Sequence, residues 1–249
     1  MESAMEQRKS DRTSTRAPLC FVSHAWADEG HAFALELSQE LRPRGIIPWL
    51  DEERIPLGSS VRHSCRDGVL RKCDVFLALV SQDWRASTAC QEELQCALER
   101  QSKEALQILP VHRTRDVQPI PELANARYTE LPDLEDSQCI DRLAEAIRRA
   151  TAVSRLAGSL REGNPRDRRE AAKLLGQVAE PSAAHCLSRS LTEDSDALTR
   201  YWAAIALGRI ATAEACDRLR NAAGTEEDAH VSQGIKEALE RGCLAEDTR

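Results

Sequence analysis

From Leu19 to Ala150 the chain alternates short apolar runs with stretches whose apolar residues recur every three or four positions, and beyond Ala150 the short runs cease. Brief apolar runs separated by helical periodicity are the signature of a parallel sheet whose faces are covered by the intervening helices. The runs predict strands at residues 19–23, 46–50, 75–81 and 107–111, with a weaker one near 127–131. Five such strands make a small doubly wound α/β sheet. Between the first two, Phe33, Leu37 and Leu41 mark one buried helix face, which Pro43 and Gly45 bring to an end. After the third, Thr88 with Gln91 gives a capping-box pattern, opening a helix that turns Leu94, Ala97 and Leu98 inward. A last helix over residues 137–150 carries Ile140, Leu143 and Ile147 on one face.

A chain of 249 residues accommodates two modest cores, and with only 4% aromatics their packing falls to Leu, Ala, Val and Ile. A net charge of −7 provides no positive field to attract phosphates, which argues against a dedicated nucleic-acid binder. The nine cysteines, at 20, 65, 73, 90, 96, 139, 186, 216 and 243, are odd in number and form neither a CxxC pair nor a Cys/His cluster of zinc spacing. They read as free, mostly buried thiols in a reducing cytoplasm, with no metal site. Residues 1–17 mix charges with Ser and Thr and lack the apolar core of a signal peptide. No later run approaches the ~18 apolar residues of a membrane span. The expectation is a cytoplasmic protein without a membrane anchor, with a disordered tail over 1–17.

Residues 151–249 read as a second, all-helical domain, rich in Ala, Leu and Arg, and it repeats. Ala171, Ala172, Leu175 and Gly176 are echoed by Ala203, Ala204, Leu207 and Gly208, and more faintly by Ile235, Ala238 and Leu239, at a period of roughly 32 residues. Each echo follows another helix, marked by Leu156 and Leu160, then Leu187 and Leu191, then Leu219 and Ala223. Helix pairs that cannot bury their faces alone stack into a solenoid; a plain bundle with chance matches is the alternative for the third unit. The stretch DRREAAKLLGQVAEPSAAHCLSRSL resembles short HEAT-like repeats. That resemblance implies an interaction or assembly surface, with a possible protein partner, and no chemistry of its own.

Ser81 to Leu94 places a carboxylate, Glu93, in the helix that follows the third predicted strand. In open parallel sheets ligands bind outside the carboxyl ends of the strands, so a carboxylate there is a candidate for chemistry. Three blocks occur in order: LCFVSHAWADE at 19–29, GIIPWLDEERIPLGSSV at 45–61 and VFLALVSQDWRASTACQEEL at 75–94. Together, over residues 18–150, they resemble a Toll/interleukin-1 receptor (TIR) domain. The resemblance implies a flavodoxin-like fold, whose enzymatic members cleave NAD between nicotinamide and ribose, with NAD as substrate and no cofactor.

It further implies that the catalytic glutamate falls on Glu93, while Glu92 faces away. Ser23, His24 and Trp26 after the first strand, and Trp49, Asp51 and Glu52 at the end of the second, lie where family members line the dinucleotide pocket. Ser81 and Trp84 flank the same place. Arg54, Arg62 and Arg85 are the nearest cations for a pyrophosphate, and Trp26 and Trp49 offer aromatic faces to the bases. Many active relatives carry an aromatic residue four positions before the glutamate, where this chain has Ala89; Trp84 is the candidate to fill that space.

Each residue also has a plainer reading. A glutamate near a helix start favours the helix dipole, Trp49 on a strand is as readily core as platform, His24 caps a strand end, and Asp51 and Glu52 are solvated loop charges. The hydroxyl of Ser81 holds a turn.

Two functions follow. The first is an NAD nucleosidase, releasing nicotinamide and ADP-ribose or a cyclic form, activated by self-association through the TIR domain in signalling or anti-phage defence. The second is a non-catalytic adaptor that works through TIR–TIR and HEAT-mediated contacts. A phosphorylated receiver domain is excluded, because no acidic pair follows the first strand and the third ends in Ser81.

Overall fold

The computed structural model describes residues 16–26, 28–50, 70, 72–104, 106–112, 120–123, 129–131 and 134–243. The tail expected over 1–17 lies, up to residue 15, outside the described residues, and Arg16 donates to Asp74 Oδ2 at 3.3 Å. Two compact units divide the chain, Met1–Gln101 with Leu106–Thr151, and Ser102–Ala105 with Ala152–Arg249. Among the described residues no helix is long and apolar enough to cross a membrane.

The first unit runs β1 (Leu19–Ser23), α1 (Asp28–Leu41), β2 (Ile47–Trp49), β3 (Val75–Val80), α2 (Gln82–Ala86), α3 (Thr88–Glu104), β4 (Gln107–His112) and β5 (Thr129–Glu130). All strands are parallel, in the order β2-β1-β3-β4-β5. The five strands are those the apolar runs predict, with ends shifted by a residue or two. Alternate residues on each strand point to opposite faces, and both faces are covered. Cys20, Val22, Val75, Leu77 and Leu79 pack with Phe33, Leu37 and Leu41 of α1 and with Ile140, Leu143 and Ile147. Phe21, Phe76, Ala78, Val80 and Ile108 pack on the other side with Trp84, Leu94 and Ala97. This is why β3 is buried at every position.

Local chemistry fixes the ends. Pro43 sits inside a 3₁₀ turn, Arg42–Arg44, and Gly45 follows it at φ 78°, a left-handed conformation in which a side chain would be strained. Ser81 is not a strand residue; it caps α2, its Oγ accepting from the Trp84 amide at 3.0 Å. Helix α2 has only 5 residues, too few for a period to show in sequence. In place of the capping box predicted at Thr88, Ser87 caps the helix: the Cys90 amide donates to Ser87 Oγ at 3.4 Å, while Gln91 Nε2 turns to the Trp84 carbonyl at 3.1 Å.

Helix α4 (Ser137–Glu162) runs past the predicted end at 150, and the division between the units falls within it. The second unit continues with α5 (Pro165–Val178), α6 (Ala184–Glu193), α7 (Ala197–Ile210), α8 (Ala213–Ala223) and α9 (Ala229–Ala238), closed by a π-helical turn, Leu239–Cys243. The repeat is physical. Asn164, Asp196 and Asp228 cap α5, α7 and α9 at an equal spacing of roughly 32 residues. Val231, Ile235 and Ala238 are buried, so the faint third echo is a full helix of the stack. The preceding helix buries Ala222, and Ala223 is exposed. A ladder of ion pairs repeats with the helices. Arg168 forks onto Asp194 at 2.8 and 2.9 Å, and Arg200 forks onto Glu226 at 2.9 and 3.0 Å.

One expectation is corrected. Cys216 of α8 and Cys243 of the closing turn are joined by a disulfide, with Cα atoms 5.7 Å apart, so not all nine cysteines are free. The two meet because α8 packs against the closing turn, and a separation of 27 residues in sequence carries no sign of it. Cys20, Cys73, Cys90, Cys139 and Cys186 remain thiols, and Cys65 lies outside the described residues.

Gly176 and Gly208 are where the stacked helices touch. A Cβ on Gly176 would lie 2.9 Å from Ala206 Cα, and one on Gly208 would lie 2.8 Å from Ala238 Cα. Gly208→Val is therefore expected to lower stability by about 1–3 kcal/mol through overpacking. Gly158→Ala, where an added Cβ would enter open space, is expected to raise it by about 0.5–1 kcal/mol. Urea unfolding of both variants checks the contrast.

Asp196 is held well below the usual carboxylate range, first by its hydrogen bond from Arg169 and then by those from Thr199. Glu226 is lowered by Arg200. A depressed native value stabilises the fold above the ordinary carboxylate range and loses that stabilisation as pH falls toward the native value. The thermal midpoint is thus expected to fall steadily below about pH 4. The Arg169→Met variant, less stable at neutral pH, should show a shallower fall; circular dichroism melts across pH measure both.

Candidate active site at the sheet switch point

With this strand order the chain leaves β1 and β3 toward opposite faces, and a crevice opens at the carboxyl ends of those two strands. Ser23 is the last residue of β1 and pairs with Ala78 of β3, and Ser81 follows the last residue of β3. Glu93 arrives from α3, on the same helix face as Cys90 and Leu94.

Glu93 is 7% exposed, an uncommon burial for a carboxylate. Ser23 Oγ donates to Glu93 Oε2 at 2.6 Å, and Trp84 Nε1 donates to Ser23 Oγ at 2.9 Å. The short distance is that of a hydroxyl bonded to a charged acceptor. Cys90, one turn before Glu93, donates its thiol to the His24 carbonyl at 3.3 Å and ties α3 to the loop after β1. Burial, more than any other influence, pushes the Cys90 thiol up to about 11, so at neutral pH it is a protonated structural group and not a nucleophile. Glu92, the preceding residue of α3, is exposed.

A second group stands beside this one. His24 is buried and its Nε2 lies 2.9 Å from His31 Nδ1, so one of the two rings carries the shared hydrogen. Trp26 stacks on His31 with centroids 4.7 Å apart and remains 38% exposed. The result is an aromatic platform at the mouth of the crevice. His31 was not readable as a site residue, because it sits in α1, just past the end of the first motif block, and no spacing rule links it to His24.

The other expected residues divide. Trp49 stacks on Phe21 at 4.9 Å and packs with the core of that face, the plainer of its two roles. Ser81 serves as a helix cap. Trp84 is fully enclosed at 0% exposure, so it presents no face in place of the missing aromatic, and Ala89 is exposed. Arg85 is exposed on α2. Asp51, Glu52, Arg54 and Arg62, with the loop that carries them, lie outside the described residues. Among the described residues no group of three or more His, Cys, Asp and Glu side chains is gathered as for a metal ion.

Comparison with known families gives two matches. Residues 20–152 match the family described as TIR domain, and residues 153–240 match that described as HEAT repeats. No curated protein matches the chain. The parallel sheet, the constellation at its switch point and a match that spans more than half of the sequence lead to one conclusion: the chain belongs to the TIR domain family, with HEAT repeats following the TIR domain.

Proposed function

We propose that this protein is an NAD nucleosidase, with Glu93 as its catalytic residue. The observation that carries the reading is a buried carboxylate at the carboxyl ends of β1 and β3, held by the Ser23 hydroxyl at 2.6 Å. Burying a carboxylate carries a desolvation cost that a residue kept only for stability rarely bears. A site that binds a developing cation gives that burial a purpose.

The chemistry suits a single carboxylate. The nicotinamide nitrogen of NAD is cationic, so the C–N bond to ribose breaks with its electron pair returning to the ring, and neutral nicotinamide departs without a proton donor. The sugar passes through an electron-poor, oxocarbenium-like state, as in glycoside hydrolysis. A fixed negative charge in a site shielded from water stabilises that state. Water, or an adenine nitrogen of the same molecule, then takes the sugar carbon, giving ADP-ribose or a cyclic form. The stacked Trp26–His31 pair offers a flat, partly exposed face to a base. The HEAT repeats supply a surface for assembly or a protein partner, and clustering of TIR domains is the expected switch.

A second reading is a non-catalytic adaptor acting through TIR–TIR and HEAT-mediated contacts. It is favoured by Ala89, exposed where active relatives carry an aromatic residue, with no side chain from Trp84 in its place.

Nicotinamide release from NAD, measured for wild type and Glu93→Ala while protein concentration is raised, separates the two. The expected outcome is activity that rises faster than concentration and falls at least roughly 10²-fold in the variant, the scale of removing one preorganised electrostatic group. A folded, self-associating protein that releases no nicotinamide at any concentration would leave the adaptor reading standing.

A further inference from the structure

A fully buried tryptophan needs an acceptor for its indole N–H, a demand that an apolar Phe or Leu in a core does not make. Trp84 is the one buried residue of the five in α2, and it is completely enclosed. Its acceptor is Ser23 Oγ, 2.9 Å away, and Ser23 in turn meets Glu93 Oε2 at 2.6 Å. The three side chains come from β1, α2 and α3 and form one chain of hydrogen bonds.

Its direction is fixed by chemistry. An indole N–H only donates, and a serine hydroxyl carries one hydrogen and accepts through its lone pairs. With a lone pair of Ser23 engaged by Trp84, the hydroxyl hydrogen turns to Glu93. The neighbouring thiol of Cys90, protonated at neutral pH, is directed to the His24 carbonyl and offers no competing anion. The root of the indole is fixed on both sides: the Trp84 amide donates to Ser81 Oγ at 3.0 Å, and the Trp84 carbonyl accepts from the Ser87 amide at 3.3 Å and from Gln91 Nε2 at 3.1 Å. Ser81 and Gln91, set in the motif around the carboxylate, thereby determine where the indole nitrogen lies.

We propose that Trp84 is a positioning residue: its indole N–H orients the Ser23 hydroxyl, which holds the Glu93 carboxylate in the attitude the reaction requires. The proposal rests on the reading of Glu93 as the catalytic group and adds what aims it. Trp84 touches no substrate. Removing its N–H while keeping an aromatic ring leaves most of the core filled, frees the Ser23 hydroxyl to rotate among its staggered wells and lets the carboxylate drift.

The test has two arms, one independent of catalysis. In the first, the indole N–H signal of Trp84, identified by its loss in Trp84→Phe, is followed by ¹⁵N–¹H NMR. The expected result is that it moves and exchanges faster in Ser23→Ala, and that it also moves in Glu93→Gln, two hydrogen bonds away. In the second, turnover of NAD is measured for Trp84→Phe, Ser23→Ala and the double variant. The expected result is a kcat lowered roughly tenfold in Trp84→Phe with KM little changed, and a double variant no slower than Ser23→Ala alone.

Losses that multiply in the double variant, or an indole signal indifferent to Ser23→Ala, would overturn the proposal and leave Trp84 a core residue only. If wild type releases no nicotinamide, the nucleosidase reading falls, while the NMR arm still decides whether Trp84 and Ser23 order Glu93. Should Trp84→Phe fail to fold, the Trp84 signal is identified by sequential backbone assignment instead, and its response to Ser23→Ala and Glu93→Gln carries the same decision.

Discussion

A parallel sheet covered on both faces leaves no solvent side for a polar residue, and this requirement shapes the whole first unit. Every position of β3 is buried, and its neighbours β1 and β4 are nearly so. Polar chemistry is therefore driven to the strand ends, where the chain must in any case turn away to a helix. Ser23 closes β1, Ser81 follows β3 and His112 closes β4. The third of these shows the same pressure: burial lowers its basicity, with Glu130 acting partly against it. The crevice between β1 and β3 gathers functional groups because the interior of the sheet has excluded them.

The second unit meets a different requirement. Its helices are short and cannot bury a face alone, so each must dock on a copy one repeat away. Gly176 against Ala206 and Gly208 against Ala238 bring the backbones together. The Arg168–Asp194 and Arg200–Glu226 forks hold the loops at the same interval, each Arg also reaching a loop carbonyl, that of Gly163 or of Asp194. Small residues set the distance, and the forked ion pairs set the register.

The elements of the sheet were legible because each central strand is a continuous apolar run and each long helix shows its period over several turns. Helix α2 was not, since five residues give no period. The candidate site was legible in outline: Glu93 stood out by its place after β3, and Ser23 by its place at the end of β1. What sequence could not supply was the contact between elements. Trp84 read as an aromatic available to a ligand, and only packing shows it turned inward onto Ser23. His31 gave no signal, because its partner His24 lies across a loop whose path is not encoded by spacing. The disulfide between Cys216 and Cys243 was hidden for the same reason.

Helices α5 and α7 both end on an alanine in the left-handed conformation, Ala179 and Ala211, each at φ 51°. Glycine is the residue that adopts this geometry freely, and alanine there costs about 1 kcal/mol. The same discomfort thus recurs at the same point of successive units, as a property of the motif and not of one accident. An array built by duplicating this unit inherits one such joint with every copy. Its stability then grows with length by the stacking gain less a constant toll at each joint, and the architecture carries its own brake on unlimited extension.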